Sequence, residues 1–360
     1  MPPSRNSHRA ASKPVYGLIA PMKWGAAVKK DYLEEAEEED SPPQDMARPA
    51  DRRPPPLKLR DLEILKTLGR GQEAHVYLVR TKRQKYTSDR PDSVYALKAI
   101  RKKLLRSWFR PENHSQTDHM YRKNAERESL ASVGWNPFVA GLVDLFEDRR
   151  NVYMMIEFIP RGTLRSLILN GPPISFRGGA FYFSNIICGL EFLHEAGIVH
   201  RDIKPENILV GEDGYLCLAD FGSAASLTDI KAPWSNVGTP FYAAPEIQIG
   251  PGSPSASVDL YSAACILFEI LGGTLPFVGM TSFETYQLKM GHTIPWPEQP
   301  NAFGKDLIDL IDQMLEPDEA FRLKIGEVKK HPWLRRVDWE KVKQRRFIQL
   351  ADMSLCHFLF

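Results

Sequence analysis

The chain has 360 residues, 43% hydrophobic and 10% aromatic, with 47 basic against 45 acidic side chains and a net charge of +2. That length supports a core of about two domains. The charge balance excludes a global field aimed at nucleic acid or an anionic membrane, and no apolar run reaches the roughly 18 residues of a membrane span.

Residues 1–56 combine Pro, Ser and Arg with the charge run "KKDYLEEAEEED" and close on "RRPPP". Too few periodic apolar residues are present to offset the entropy of folding, so a disordered arm is expected. The island "KPVYGLIAPMKWGAAV" is read as part of this tether, with docking on the folded part or on a partner as the alternative. Its apolar part, "VYGLIAPM", is too short and interrupted for the continuous core of a signal peptide.

From Leu57 the texture changes. "LKLRDLEILKTLG", "EAHVYLVRTK" and "SVYALKAIRK" are short, alternating segments separated by turn-prone clusters, the pattern of antiparallel strands. A charged helical stretch is expected at about 118–133, followed by the strand-like "VAGLVDLFED" and "NVYMMIEFI". After Pro160 and Gly162, "FRGGAFYFSNIICGLEFLHEAG" and "SVDLYSAACILFEILGG" repeat apolar residues at helical spacing and end in glycine. The layout is α+β, a small sheet-rich lobe over 57–157 and a larger helical lobe over 158–335, with a short tail over 336–360. No internal repeat is present. Cys188, Cys217, Cys265 and Cys356 form no metal-spaced pair, and three of them sit in apolar runs, so buried, reduced thiols in an intracellular protein are expected.

Two segments carry chemistry. In "LGRGQEAHVYLV", Gly69 and Gly71 lie between two strand-like runs, which disfavours a dinucleotide fold, where such a loop joins a strand to a helix. Ala74 stands where such a loop often has a third glycine. "YALK" then puts Lys98 and Ala96 on one face of the third strand. A lysine there is costly unless something anionic meets it, with an edge-strand charge as the alternative. "IVHRDIKPENILVGEDGYLCLADFG" is the decisive segment.

That segment resembles the catalytic and metal-binding loops of the eukaryotic protein kinase family, H-R-D-x-x-x-x-N followed by D-F-G. The resemblance covers about 60–340 and implies a bilobal fold, with one key helix in the sheet lobe, that binds ATP and Mg2+ and phosphorylates protein substrates. It implies Asp202 as the acceptor of the hydroxyl proton, Asn207 and Asp220 as metal ligands, and Lys98 on the phosphates. Leu68, Gly69, Gly71, Val76, Ala96, Glu157, Ile159 and Leu209 would complete the nucleotide site, with Glu126, preferred over Glu128, pairing Lys98. "GTPFYAAPE" resembles the substrate-docking segment, with Glu246 expected to pair Arg322 and Asp259 expected to brace the catalytic loop. Tyr261 replaces the tryptophan common near that aspartate.

Lys204 and Thr239 match the serine/threonine class, as a phosphate contact and as a support for Asp202. Arg201, with Ser235 in the following loop, points to regulation by activation-loop phosphorylation and hence to an upstream activating kinase. "DFGSA" and "HPWLRRVDWEKV" are closest to the AGC group. Only some twenty residues follow "VDW", too few for that group's long extension, and the terminal "FLF" is read as a frayed end. Glu206 and Glu269 match acids that bind basic substrates, while Thr163 stands where a third acid is common. The run Lys329, Lys330, Arg335, Arg336, Lys341, Lys343, Arg345 and Arg346 is read as a solvated helical face, with an acidic partner as the alternative. Competing readings are a pseudokinase scaffold, against which every catalytic type is present, and a small-molecule kinase, against which the docking segment argues. No oligomer is indicated, and a cytoplasmic or nuclear location is expected.

Overall fold

The computed structural model describes residues 58–71, 74–82, 94–102, 134–229, 237–248, 255–296 and 303–346. The expectations attached to the N-terminal arm, to the helix carrying Glu126 or Glu128, to Ser235, to Cys356 and to "FLF" lie outside the described residues.

The alternating segments of the first lobe form five antiparallel strands: β1 (Leu62–Arg70), β2 (Ala74–Thr81), β3 (Val94–Arg101), β4 (Leu142–Glu147) and β5 (Asn151–Glu157). Their order is β1-β2-β3-β5-β4. The two-residue side-chain period places Leu97 and Ala99 on one, buried, face of β3 and Ala96 and Lys98 on the other. Val76 pairs directly across from Lys98, and Gly69 across from Val76, so register alone aligns the glycine loop with the lysine.

The second lobe is built on helices. The Thr163 hydroxyl caps α1 (Leu164–Asn170), and Ser175 caps α2 (Phe176–Glu195), each accepting a backbone N–H of the first turn. The strand pairs β6 (Ile198–Val199) with β9 (Ala225–Ser226), and β7 (Ile208–Val210) with β8 (Leu216–Leu218), carry the catalytic segment across the lobe face. Then follow α3 (Pro245–Gln248), α4 (Ser257–Gly272), α5 (Ser282–Met290), α6 (Lys305–Met314), α7 (Ile325–Lys330) and α8 (Trp339–Lys343).

Helix α4 is buried on every side from Val258 to Ile270, which its all-round apolar sequence requires. It ends at Gly273, in the left-handed region at φ +73°, whose N–H bonds Glu269 O. Helix α2 packs between α4 and β8, and Gly189 permits that approach: a Cβ there would lie 2.8 Å from the Leu218 side chain and 3.0 Å from Phe138 O. One apolar core runs from Ile100 and Met154 of the sheet to Val337 and Val342.

Most of the C-terminal basic run lies on the expected solvated face, with Lys330, Arg335, Arg336, Lys341, Lys343 and Arg346 exposed, while Lys329 and Arg345 are half-buried. Lys329 and Lys343 both pair with Glu191, at 2.5 and 3.1 Å, and Arg345 pairs with Asp213 at 3.2 Å while its guanidinium lies over the Phe138 and Tyr215 rings. Lys329, Lys343 and Arg345 fasten α7, α8 and the residues just after α8 to α2 and to the β7–β8 turn. Cys188, Cys217 and Cys265 are buried free thiols, and burial pushes them up to about 12, 11 and 12 respectively, far from a reactive thiolate. Among the described residues no helix is long and apolar enough to cross a membrane.

Candidate active site

The loop after β6 is fixed from beneath. Asp259, fully buried in the first turn of α4, accepts the backbone N–H of His200 at 2.9 Å and of Arg201 at 2.8 Å, and bonds His194 Nε2 at 2.9 Å. Burial alone would raise its pKa, but the His194 bond, the neighbouring imidazoles and the His200 N–H hold it below the ordinary carboxylate range. Arg201 is thereby kept at φ +64°, a costly conformation for a residue with a Cβ. Its guanidinium is buried and donates to the carbonyls of Ser223 at 2.6 Å and Ala224 at 3.3 Å.

This frame presents Asp202. Its Oδ1 accepts from the Thr239 hydroxyl at 2.8 Å, and its Oδ2 accepts from Lys204 Nζ at 2.7 Å and Asn207 Nδ2 at 3.0 Å. Lys204 Nζ also donates to Thr239 Oγ1 at 2.8 Å, which closes a ring of three side chains. Thr239 reaches the carboxylate because Gly238 precedes it. At φ +84° an added Cβ would lie 2.5 Å from Arg201 O, so only glycine brings the docking segment this close to the catalytic loop.

On the sheet side, Lys98 Nζ spans the cleft to Asp220 Oδ1 at 2.8 Å. The Lys98 charge pulls the Asp220 carboxyl down to about 2. Asp220 also sits at φ +62°, with Phe221 buried behind it against His200 at 5.0 Å between rings. Ile159, Leu209 and Ala219 pack beside Ala140 and Cys217 as an apolar floor, and Glu157 ends β5 with its N–H on Gly141 O. Leu68 is exposed above the floor.

The residues present fit a nucleotide and a hard cation. A Cβ at Gly69 would meet nothing within 4 Å, so packing within the protein does not call for glycine there, and the open space suits a phosphate group. Ala74 lies in extended strand opposite Ile100, a conformation any residue adopts, so its own backbone does not call for glycine. Asn207 donates through its nitrogen to Asp202 and keeps its amide oxygen for a ligand role, while Asp220 keeps Oδ2. Among the described residues no three His, Cys, Asp or Glu side chains gather as a metal cage. A cation held by Asn207 and Asp220 would therefore draw its other ligands from phosphate and water, as magnesium does.

The family model for the protein kinase domain matches residues 62–334. The chain belongs to the protein kinase family. It is 37% identical over 298 residues to the human cAMP-dependent protein kinase catalytic subunit PRKX, covering 81% of this chain and 77% of that one. Against the Saccharomyces cerevisiae cAMP-dependent protein kinase type 3 the identity is 32%, covering 80% of this chain and 68% of that one. Against the rat cGMP-dependent protein kinase 2 it is also 32%, but over only 36% of that longer protein. This kinase is of the serine/threonine type and of the AGC group, an enzyme and not a kinase-shaped scaffold.

Further contacts of this kinase complete the docking segment. Arg322 grips Glu246 through two bonds of 2.6 and 3.0 Å, and its guanidinium lies 5.0 Å from the Tyr261 ring centre. Lys289, fully buried in α5, donates to Pro240 O and Ala243 O at 2.6 Å each, and burial pulls it down to about 8. A groove of about 260 Å³ lined by Gly238, Pro240, Ala243, Phe283 and Tyr286 opens beside the segment.

The expected acids Glu206 and Glu269 are brought together, with a partner that sequence reading missed. Both accept hydrogen bonds from Arg165, which also donates to the Tyr242 hydroxyl. A faint signal existed: Arg165 is a cation in the first turn of a helix, where the macrodipole disfavours positive charge.

Proposed function

We propose that this kinase transfers the γ-phosphoryl group of ATP to serine and threonine hydroxyls of protein substrates. Asp202 orients the acceptor hydroxyl and takes its proton, a contribution of about 10² to 10⁴ in rate for such groups. Thr239 and Asn207 fix the carboxylate, and Lys204 places positive charge beside the acceptor position. Lys98 holds nucleotide phosphates, with Glu126 as its expected helix partner. Leu68, Gly69, Gly71, Val76, Ala96, Glu157, Ile159 and Leu209 enclose the rest of the nucleotide. Asn207 and Asp220 hold magnesium, which when bound neutralises charge on the phosphate oxygens. The observation that carries this reading is the closed Asp202–Lys204–Thr239 ring facing the Lys98–Asp220 pair.

Regulation by phosphate at Ser235, added by an upstream kinase, rests on Arg201 in the sequence. The Ser223 and Ala224 carbonyls already answer part of the Arg201 charge, so the phosphate effect is a matter of degree. A preference for basic substrates rests on Glu206 and Glu269. With Arg165 counted, one negative charge remains, which supports a weak preference. An intracellular location, cytoplasmic or nuclear, rests on the reduced thiols.

The test incubates the full chain with labelled ATP, magnesium and peptides whose only acceptor is Ser, Thr or Tyr, beside an Asp220→Asn control. Label on Ser and Thr peptides alone is the expected result. Label on Tyr, or none above the control, would overturn the proposal. Ser235→Ala keeping full activity, when wild type carries phosphate there, would remove the regulatory part.

A further inference from the structure

Glu206 and Glu269 are bridged by an arginine of the chain itself. Arg165 donates from Nε to Glu206 Oε1 at 2.8 Å, from Nη1 to Glu269 Oε1 at 2.5 Å, and from Nη2 to the Tyr242 hydroxyl, which in turn donates to Glu269 Oε2 at 2.7 Å. The cluster is tied to the catalytic centre from both sides. Glu206 lies in the tight turn Pro205–Asn207 that carries Asn207, and the Tyr242 N–H bonds Thr239 O at 2.9 Å.

A guanidinium spread over two carboxylates is the group that a basic substrate residue would present. The Glu269 side of the site is shielded from water, while the Glu206 side is open to it. Arg165 is 21% exposed and Glu269 9%, whereas Glu206 is 47% exposed. Burial opposes the Arg165 charge, but hydrogen bonds to Glu269 and Glu206 hold its pKa above the ordinary arginine range. The N-cap hydroxyl of Thr163, accepting from Ser166 N, fixes the start of α1 and so the root of Arg165.

We propose, resting on the kinase reading above, that Arg165 is a specificity-determining residue: it occupies the subsite in which Glu206 and Glu269 would hold an upstream arginine or lysine of the substrate. Removing it opens a doubly acidic pocket and converts a weakly basic-selective kinase into a strongly selective one. A purely structural clamp behaves differently, since its loss lowers rates on all peptides alike.

The experiment compares wild type, Arg165→Ala and Arg165→Lys on two serine peptides that differ only in Arg or Ala upstream of the acceptor. The readout is the ratio of kcat/KM between the two peptides. The wild-type ratio is expected within about threefold, rising at least about tenfold in Arg165→Ala, the worth of one charge-assisted hydrogen bond. Arg165→Lys should stay near wild type, and adding Glu206→Gln to Arg165→Ala should pull the ratio back. Arg165→Gln, which keeps volume, replaces Arg165→Ala if melting shows that variant unfolded. Equal ratios in wild type and variant, or strong selection for Arg by wild type, would overturn the inference. The same peptides, fluorescently labelled, give the ratio as Kd by polarisation, so the inference is judged even if no phosphate is transferred.

Discussion

The catalytic loop hangs on buried groups: Asp259 bonds two of its backbone N–H groups, and three side chains engage both oxygens of Asp202. The glycine loop between β1 and β2 is held by strand pairing and by the Gly71 N–H on Ala74 O, with register shifts near Leu65 and Leu68 and open space over Gly69. The two regions face each other across the Lys98–Asp220 pair. The acceptor side is preorganised, as electrostatic stabilisation of a transferring group requires. The glycine side rests on backbone pairing, with no buried side chain of comparable role among the described residues.

Four substitutions probe this contrast, the largest effect first. Asp202→Asn should lower kcat by about 10² to 10⁴ while nucleotide affinity by titration stays within about twofold, because it removes a proton acceptor from a frame that Asp259 still holds. Asp259→Ala should cost about 3–5 kcal/mol in urea unfolding, since it strands His194 and two buried N–H groups. An effect below about 1 kcal/mol would erase the contrast, placing the loop's support elsewhere.

Lys98→Met should lower kcat/KM by about 10² to 10³, the scale for losing one preorganised charge donor, and should lower the melting temperature at neutral pH, where the Lys98–Asp220 pair is intact. Its signature is acid dependence. Asp220 is depressed to about 2 in the folded state by Lys98, below its ordinary value of about 3.9. The pair's contribution is therefore present above about pH 4 and lost as pH falls toward about 2. The stability difference between wild type and Lys98→Met, read from urea titrations at about pH 5 and about pH 3, should shrink at the lower pH. Ala74→Gly should be the mildest, changing stability by no more than about 1 kcal/mol, because Ala74 is already in extended strand. Should it turn an inert protein active, the loop would be the limiting element.

Much of the site was legible because its groups come from short linear segments. Asp202, Lys204, Asn207 and Asp220 stand in one run, and their spacing alone dictates that they meet once β7 and β8 form a hairpin. Lys98 was legible through strand alternation, and the Glu246–Arg322 pair and the Asp259 brace through their motif positions. Arg165 was not. From α1 it reaches Glu206, Glu269 and Tyr242, which lie in three other parts of the chain, so nothing in its local sequence marks the contact. Lys289 was hidden likewise, a lysine in a polar helix whose burial depends on the docking segment folding over it. The pairing of Lys329 and Lys343 with Glu191 was hidden for the same reason, since Glu191 lies on α2, far back in the chain.

The sequence by itself determined the two-lobed α+β class, the strands and long helices, and most of the residues that make up the candidate site, because period, turn chemistry and motif spacing are local properties of the chain. Tertiary structure alone decided which charges remain available. A carboxylate's power to bind a substrate depends on every cation within a few ångströms, and Arg165 comes within that range of Glu206 and Glu269 only after α1 packs beside the catalytic loop and α4.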